Sequence, residues 1–79
     1  MIEWKSIVSG KCVEDHNVRS YSDADLAQCQ GFCEKESKCK SIDLESDKTC
    51  YLNTVNSDSD SYVDEDCDPF DQYSEWEYL

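Results

Sequence analysis

Six cysteines in a chain of 79 residues limit what this sequence can fold into more than any other feature does. Three of them, Cys29, Cys33 and Cys39, lie close together in the stretch CQGFCEKESKC. An even number of cysteines in so short a chain predicts a disulfide framework. A chain of this length buries only about 60% of its unfolded surface, and each disulfide adds about 2 to 4 kcal/mol of stability. Because such bonds persist in oxidising compartments, we expect a secreted, extracellular protein.

The spacing of the cysteines argues against the other common uses of thiols. Structural zinc sites favour CxxC pairs with a second Cys or His cluster, whereas this chain has a CxxxC pair and one histidine, His16. A catalytic thiol is normally an unpaired cysteine beside a histidine base, and no cysteine is obviously left over. We therefore expect no enzymatic activity and no cofactor, except for the candidate calcium site described below.

The charge balance narrows the class of partner. Asp and Glu number 19 against 7 Lys and Arg, which gives a net charge of -12. Phosphate binding needs a basic surface, so nucleic acid is an unsuitable partner, whereas a basic protein surface is a suitable one. No stretch approaches the roughly 20 apolar residues that span a bilayer, so we expect no direct membrane insertion. The first residues lack the features of a signal peptide, and we expect the secretion signal to lie outside this chain.

Local patterns predict one helix and several strands. Ser22 and the acidic residues after it form an N-terminal capping signal, and Leu26, Cys29 and Cys33 then recur at helical spacing, so a helix is predicted from Asp23 to about Ser37. A strand is predicted near the start of the chain, and 16–19 is predicted to be an exposed loop.

Alternation of apolar and polar residues predicts a central hairpin. Ile42 and Leu44 would face Leu52 and Cys50 around a three-residue turn at 46–48, with all four side chains on the core side. Residues 53–71 are polar and read as a loop, and 73–79 returns to alternation as a strand that closes the sheet against the first one. Residues 1–79 are thus expected to form one small α+β domain, with a helix packed on a twisted antiparallel sheet.

Six cysteines allow 15 pairings, and the sequence alone does not select among them. Cys29 and Cys33 share a helical face, and both could reach the hairpin below it. The segment SDADLAQCQGFC (22–33), followed by Cys39 and by TCYL (49–52), resembles the helix-and-hairpin signature of PAN/apple domains. The outer cysteines, Cys12 and Cys67, resemble the extra bridge of the apple subtype. This resemblance implies a nested pairing, whose bonds would be Cys12–Cys67, Cys29–Cys50 and Cys33–Cys39.

The resemblance also implies a function. PAN/apple domains are extracellular, non-catalytic modules for adhesion and recognition that bind a protein or a glycan. Exposed aromatic side chains could stack on sugars or anchor a protein partner. The candidate binding residues in this chain are Tyr21, Tyr62, Phe70 and Tyr73.

A second class of function comes from the Asp-rich segment 58–68. Clustered carboxylates supply the oxygen ligands that Ca²⁺ prefers, although the turn glycine and closing glutamate of an EF-hand loop are missing. The candidate metal ligands are Asp58, Asp60, Asp64 and Asp66. The alternative hypothesis is therefore an acidic extracellular matrix-type protein that binds calcium through this loop.

Overall fold

One helix packs on an antiparallel sheet, as the sequence predicts for an α+β domain. The computed structural model describes residues 2–13, 17–55, 63–64, 67 and 69–78. The helix α1 spans Leu26–Lys35. The strands are β1 (Ile2–Trp4), β2 (Val8–Ser9), β3 (Cys12–Val13), β4 (Asn17–Tyr21), β5 (Ser41–Leu44), β6 (Cys50–Asn53), β7 (Val63–Asp64) and β8 (Gln72–Tyr78).

The strands form one main sheet and a short ribbon. The order in the main sheet is β1-β8-β5-β6-β4, and β2 also pairs with β8. The ribbon consists of β3 and β7, which lie in the part of the chain before β4 and in the Asp-rich segment respectively. The predicted loop at 53–71 therefore contains a short strand.

The helix begins three residues later than the sequence predicts because its N-cap is Asp25 and not Ser22. The Asp25 carboxylate accepts a 2.8 Å hydrogen bond from the backbone N–H of Gln28, and the Gln28 side chain accepts a 3.0 Å bond from the N–H of Asp25. Asp23 has a φ of 55°, in the left-handed region, so it cannot belong to the first turn. No helix in the described part of the chain is long and apolar enough to cross a membrane.

The central hairpin has the predicted register. Leu44 pairs with Cys50 and Ile42 pairs with Leu52, and all four side chains are buried. The turn closes with a 2.9 Å bond from the N–H of Glu45 to the carbonyl of Thr49, which leaves a three-residue loop. The predicted hairpin is confirmed.

The two sheet edges give one confirmation and one correction. Strand β8 pairs with β1, with Trp4 opposite Trp76, as predicted for the closing strand. The predicted loop at 16–19 is wrong for residues 17–19, because Asn17–Tyr21 is a strand that pairs with β6. Hydrogen bonding along the free edge of β6 stabilises this segment as a strand, and no local pattern signals that partner. His16 lies outside the described residues.

Two disulfides fasten the helix to the sheet, and one fastens the ribbon. Cys29–Cys50 joins α1 to β6, and Cys33–Cys39 joins α1 to the segment before β5. Cys12–Cys67 joins β3 to the segment before β8. These are the three pairs that the family resemblance implies.

The two sides of the main sheet differ in composition, yet both are buried. On the helix side, Ile42, Leu44 and Leu52 pack with the four cysteines of the helix bonds. The opposite side, which we call the polar face, carries polar residues, and five of them are at most 6% exposed. These five are Ser41, Asp43, Asn53, Tyr73 and Glu75, and Tyr51 on the same side is half-buried. The alternation predicted the core side of the hairpin and did not indicate that the opposite side is covered as well.

Candidate functional site

Hydrogen bonds order one end of the polar face. The Tyr73 hydroxyl donates a 3.0 Å bond to the Glu75 carboxylate, whose other oxygen lies 3.3 Å from Nζ of Lys5. Ser41 donates a 2.6 Å bond to the carbonyl of Val55 and accepts a 3.2 Å bond from the Asn53 amide. These contacts supply most of the donors and acceptors that burial would otherwise leave unpaired.

Two oxygens of the polar face are exceptions, Oδ1 of Asp43 and Oδ1 of Asn53, which are buried without a hydrogen bond of ordinary geometry among the described residues. The Asn53 side chain nevertheless acts on the pKa of Asp43. Oδ2 of Asp43 accepts a 2.8 Å bond from the backbone N–H of Val13. Only 4% of Asp43 is exposed, so one oxygen of a carboxylate inside the protein is left without a donor. Such a group is costly unless it is protonated or meets a ligand.

A small cavity of about 150 Å³ opens beside Asp43. We call it the acidic pocket, and its lining residues are Cys12, Val13, Asp43, Glu45, Tyr51 and Asp71. Strand β5 places Asp43 directly opposite Tyr51 on β6 and opposite Tyr73 on β8. The N–H of Gly10 donates a 2.9 Å bond to the carbonyl of Asp71, which holds that residue at the rim of the sheet. Secondary structure and backbone hydrogen bonds therefore position most of the pocket wall.

The electrostatics of the acidic pocket favour positive charge. Burial raises the pKa of Asp43 from 3.8 to about 7, and the negative charges of Asp71 and Glu45 add to the shift. The Val13 N–H and the Asn53 side chain act in the opposite direction without cancelling it. A carboxylate with these neighbours holds its proton near neutral pH, and a cation beside it would favour the ionised form.

The pKa values of the two tyrosines opposite Asp43, Tyr51 and Tyr73, are also raised. A hydrogen bond to the Glu45 carboxylate, together with the charge of Glu45, raises the pKa of Tyr51. Burial raises the pKa of Tyr73 well above its ordinary value. Both phenols therefore stay protonated and act as hydrogen-bond donors to the carboxylates around them.

The structure separates the candidate aromatic residues. Phe70 is 73% exposed, in agreement with its expected surface position. Tyr21 is half-buried, and its ring stacks on Phe32 with the centroids 4.1 Å apart. Tyr73 is only 3% exposed, so the expectation that it lies at the surface is wrong. The reason is that β8 lies between β1 and β5, and Tyr73 points into the covered polar face. Tyr62 lies outside the described residues.

The candidate calcium ligands fall almost wholly outside the described part of the chain. Asp58, Asp60 and Asp66 are not described. Asp64 belongs to β7, where its backbone pairs with Cys12, and its side chain is not described. Within the described ranges, no group of three His, Cys, Asp or Glu side chains is placed to hold a metal ion. The calcium site stays a prediction.

Sequence reasoning missed the acidic pocket. The sequence pattern places Asp43 among the polar residues of an alternating strand and Asp71 in the polar segment 53–71, and neither position indicates a pocket. One weak signal was present: Ser41, Tyr51 and Asn53 are neutral, although the same side of the hairpin also carries Asp43 and Glu45.

Comparison with known proteins agrees with this architecture. Searches of curated proteins and of solved structures found no significant match to the chain. The sequence model of one family, described as the PAN domain, matches residues 6–77. The match extends over the three disulfides, the helix, the central hairpin and nearly all of β8, and the chain therefore belongs to the PAN domain family.

Proposed function

We propose that this chain is a non-catalytic recognition module that acts outside the cell and binds a protein or a carbohydrate. PAN domains are generally protein-binding or carbohydrate-binding modules of extracellular proteins. The observation that carries the proposal for this chain is the acidic pocket, a cavity of about 150 Å³ whose lining includes Asp43, Glu45, Tyr51 and Asp71. A cavity with a few polar groups in its wall is the usual form of a binding site.

The pocket is suited to binding because its walls are held in place before a ligand arrives. Cys12 and Val13 belong to the ribbon that Cys67 fastens to the body, and Asp43 and Tyr51 lie on paired strands. A site whose side chains are already ordered loses little conformational entropy when it binds. The disulfides therefore support function through rigidity as well as stability.

The shape of the pocket favours binding over catalysis. Asp43 is 4% exposed, so its carboxylate does not reach a polymer that lies across the surface. Hydrolysis of a glycosidic bond needs two carboxyl groups on either side of the scissile bond. A cavity of about 150 Å³ instead admits the end of a side chain or a single hydroxyl group.

Phe70 offers an anchor near this pocket. It is 73% exposed and directly precedes Asp71, which lines the pocket. Exposed aromatic side chains supply much of the binding energy where they occur at interfaces, through contact area that costs little entropy. We propose Phe70 as the part of the binding surface that a protein or sugar ligand covers.

Binding of the oxidised chain to a glycan array and to a panel of purified extracellular proteins tests this function. The informative variants are Phe70→Ser and, as a matched control, Tyr78→Ser, because Tyr78 is 74% exposed at the far end of β8. We expect a ligand whose binding is lost with Phe70→Ser and on reduction of the disulfides, and is kept with Tyr78→Ser. Absence of binding to both the glycan array and the protein panel, or equal loss of binding in the two variants, would show that the proposal is wrong.

A further inference from the structure

We propose that the Cys12–Cys67 disulfide is a site of thiol–disulfide exchange in the folded protein. The reagents that it takes are small thiols that carry a positive charge. Cleavage of the bond releases the β3–β7 ribbon from Asp43, whichever ligand the module recognises. Three features of the structure lead to this assignment: the accessibility of this disulfide, its position in the fold, and the charge around it.

The three disulfides differ in their exposure to solvent. Cys12 and Cys67 are both half-buried, and Cys12 also lines the acidic pocket. The four cysteines of the helix bonds are at most 1% exposed and belong to the core. A thiolate must reach a sulfur atom before it can exchange with it, so exposed disulfides are the labile ones. A thiol that leaves the fold intact should therefore react first at Cys12–Cys67.

The position of this bond separates its loss from loss of the fold. Cys12 and Cys67 are 55 residues apart in the sequence, and they join the ribbon to the segment before β8. The other two disulfides lie within residues 29–50, where they hold the helix on the central hairpin. Cleavage of Cys12–Cys67 removes no contact of the helix, of the core or of the main sheet. The ribbon is the part of the structure that loses a covalent bond.

The ribbon also covers Asp43. The Val13 N–H donates the 2.8 Å hydrogen bond that joins β3 to the Asp43 carboxylate. Asp43 is only 4% exposed, and a buried carboxylate becomes more stable when water reaches it. A ribbon without its disulfide can move away from the sheet, and solvation of Asp43 then favours the open position. Loss of the covalent bond therefore opens this side of the sheet.

The charge near the bond selects among thiols. Three acidic residues line the same cavity as Cys12, and in the sequence Cys67 has an aspartate on either side. The whole chain carries a net charge of -12. The attacking group is a thiolate, which is an anion, so these acidic surroundings repel it. A positive group on the same small molecule offsets the repulsion, and a cationic thiol should therefore react faster than an anionic one.

The exchange consumes two thiols and needs no other reagent. The first thiolate bonds to one sulfur of the pair as the Cys12–Cys67 bond breaks, and the electron pair leaves with the other sulfur, which takes a proton from water. A second thiolate then attacks the mixed disulfide, so that the small-molecule disulfide departs and the second cysteine is released as a thiol. Two electrons thus pass from the two thiols to the cysteine pair.

Partial reduction of the intact, oxidised chain identifies the reactive bond. The chain is incubated with cysteamine under native conditions and trapped at intervals with excess iodoacetamide. Peptide mapping by mass spectrometry then counts alkylated cysteines and mixed disulfides with cysteamine. We expect reaction at Cys12 and Cys67 to be at least about tenfold faster than at the other four cysteines, because those four must be exposed by unfolding first. Loss of all three disulfides together, or earlier loss of Cys33–Cys39, would overturn the assignment.

Three small thiols of different charge test the selection. They are cysteamine, which is cationic, 2-mercaptoethanol, which is neutral, and 2-mercaptoethanesulfonate, which is anionic. The rate of each at Cys12–Cys67 is divided by its rate with the neutral disulfide bis(2-hydroxyethyl) disulfide, which removes the differences in thiol reactivity. We expect the normalised rates to fall in the order given and to converge as salt is added. Equal normalised rates, or a faster anionic thiol, would contradict a cationic reagent.

Two double variants test the release of the ribbon. Cys12→Ser with Cys67→Ser reproduces the cleaved state without a reductant. Cys33→Ser with Cys39→Ser is the matched control, because it removes one disulfide from the other side of the sheet. If the first variant does not fold, the natural chain alkylated only at Cys12 and Cys67 takes its place. Loss of the fold in that material too would overturn a local release.

Hydrogen exchange of two backbone amides gives the readout. The Val13 amide bonds to Asp43 and reports on the ribbon, whereas the Leu52 amide belongs to the central hairpin, where Leu52 is fully buried. We expect loss of Cys12–Cys67 to raise the ratio of the Val13 rate to the Leu52 rate about tenfold or more, and the control variant to leave this ratio within about twofold. Equal acceleration of both amides would show that the bond stabilises the whole domain and does not hold the ribbon alone.

These measurements are independent of the proposed function. Selective cleavage of Cys12–Cys67 with release of the ribbon would support the exchange site even in a chain that binds no glycan and no protein. The recognition function is decided by the binding experiment with Phe70→Ser, which needs no reductant.

Discussion

The backbone N–H of Val13 donates a 2.8 Å hydrogen bond to the Asp43 carboxylate, which joins the β3–β7 ribbon to the polar face of the main sheet. Val13 follows Cys12, whose disulfide fixes the ribbon to the segment before β8. The three disulfides thus stabilise different sides of the sheet. Cys29–Cys50 and Cys33–Cys39 hold the helix, while Cys12–Cys67 holds the cover over Asp43.

Burial of Asp43 predicts that stability falls as pH rises. The folded pKa of about 7 lies above the ordinary value of 3.8, so the folded protein binds the proton more tightly than the unfolded chain does. The associated stability is complete below about pH 4 and is lost by about pH 7, and its magnitude is at most about 4 kcal/mol. Urea unfolding with the disulfides intact, measured at about pH 5 and about pH 8, checks this dependence.

Comparison with Asp43→Asn isolates the contribution of this one group. The amide resembles the protonated carboxyl in shape and carries no charge at any pH. We expect the variant and the natural chain to be close in stability at about pH 4 and the variant to be the more stable at about pH 8. A stability difference that did not change with pH would show that Asp43 ionises normally in the folded protein.

The two helix disulfides should differ in their effect on stability. All four cysteines are at most 1% exposed, so replacement of either pair by alanine removes similar packing. The bonds differ in the loop that they close, with sequence separations of 21 for Cys29–Cys50 and 6 for Cys33–Cys39. Loop entropy predicts losses of about 3.3 and about 2.2 kcal/mol in the free energy of unfolding. Urea unfolding of the two double variants gives the comparison, and a larger loss for the short loop would contradict it.

The central hairpin could be predicted from the sequence because its two strands lie next to each other in the chain. Ile42, Leu44, Cys50 and Leu52 alternate with polar residues, and only one short turn places them on a common face. The helix could be predicted for the same reason, since Leu26, Cys29 and Cys33 form a local stripe. Strand β4 could not be predicted, because its partner β6 lies about 30 residues away in the chain and no local pattern identifies that partner.

The acidic pocket could not be predicted because its cover comes from remote parts of the chain. An alternating strand has the same sequence pattern whether its polar side faces water or another segment. The segments that cover the polar face include Val13 before β4 and Val55 after β6. The backbone N–H of Val13 donates to the Asp43 carboxylate, and the backbone carbonyl of Val55 accepts from the Ser41 hydroxyl. Backbone donors and acceptors carry no residue signature, so the burial of Asp43 appears only in the structure.

The position of the helix N-cap gives a prediction with a matched control. Asp25 and Gln28 bond reciprocally, whereas Ser22 lies before the residue with left-handed φ and takes no part in the cap. We expect Asp25→Ala to lower the free energy of unfolding by about 1 kcal/mol, and Ser22→Ala to change it by a few tenths at most. Thermal or urea unfolding of the two variants measures this, and the reverse order would place the cap at Ser22, where the sequence pattern alone puts it.

Calcium binding by the segment 58–68 is a prediction that calorimetry decides. Asp58, Asp60, Asp64 and Asp66 supply oxygen ligands at alternate positions, and the backbone of Asp64 is fixed by pairing with Cys12 in the ribbon. A specific site requires binding in the micromolar range that is lost with Asp60→Asn and Asp64→Asn together, and kept with Glu3→Gln and Glu77→Gln, which remove the same charge elsewhere. A merely acidic segment would give no heat with millimolar calcium. A specific site that includes Asp64 would also stabilise the ribbon, so calcium should then slow hydrogen exchange of the Val13 amide, whose N–H bonds to the Asp43 carboxylate.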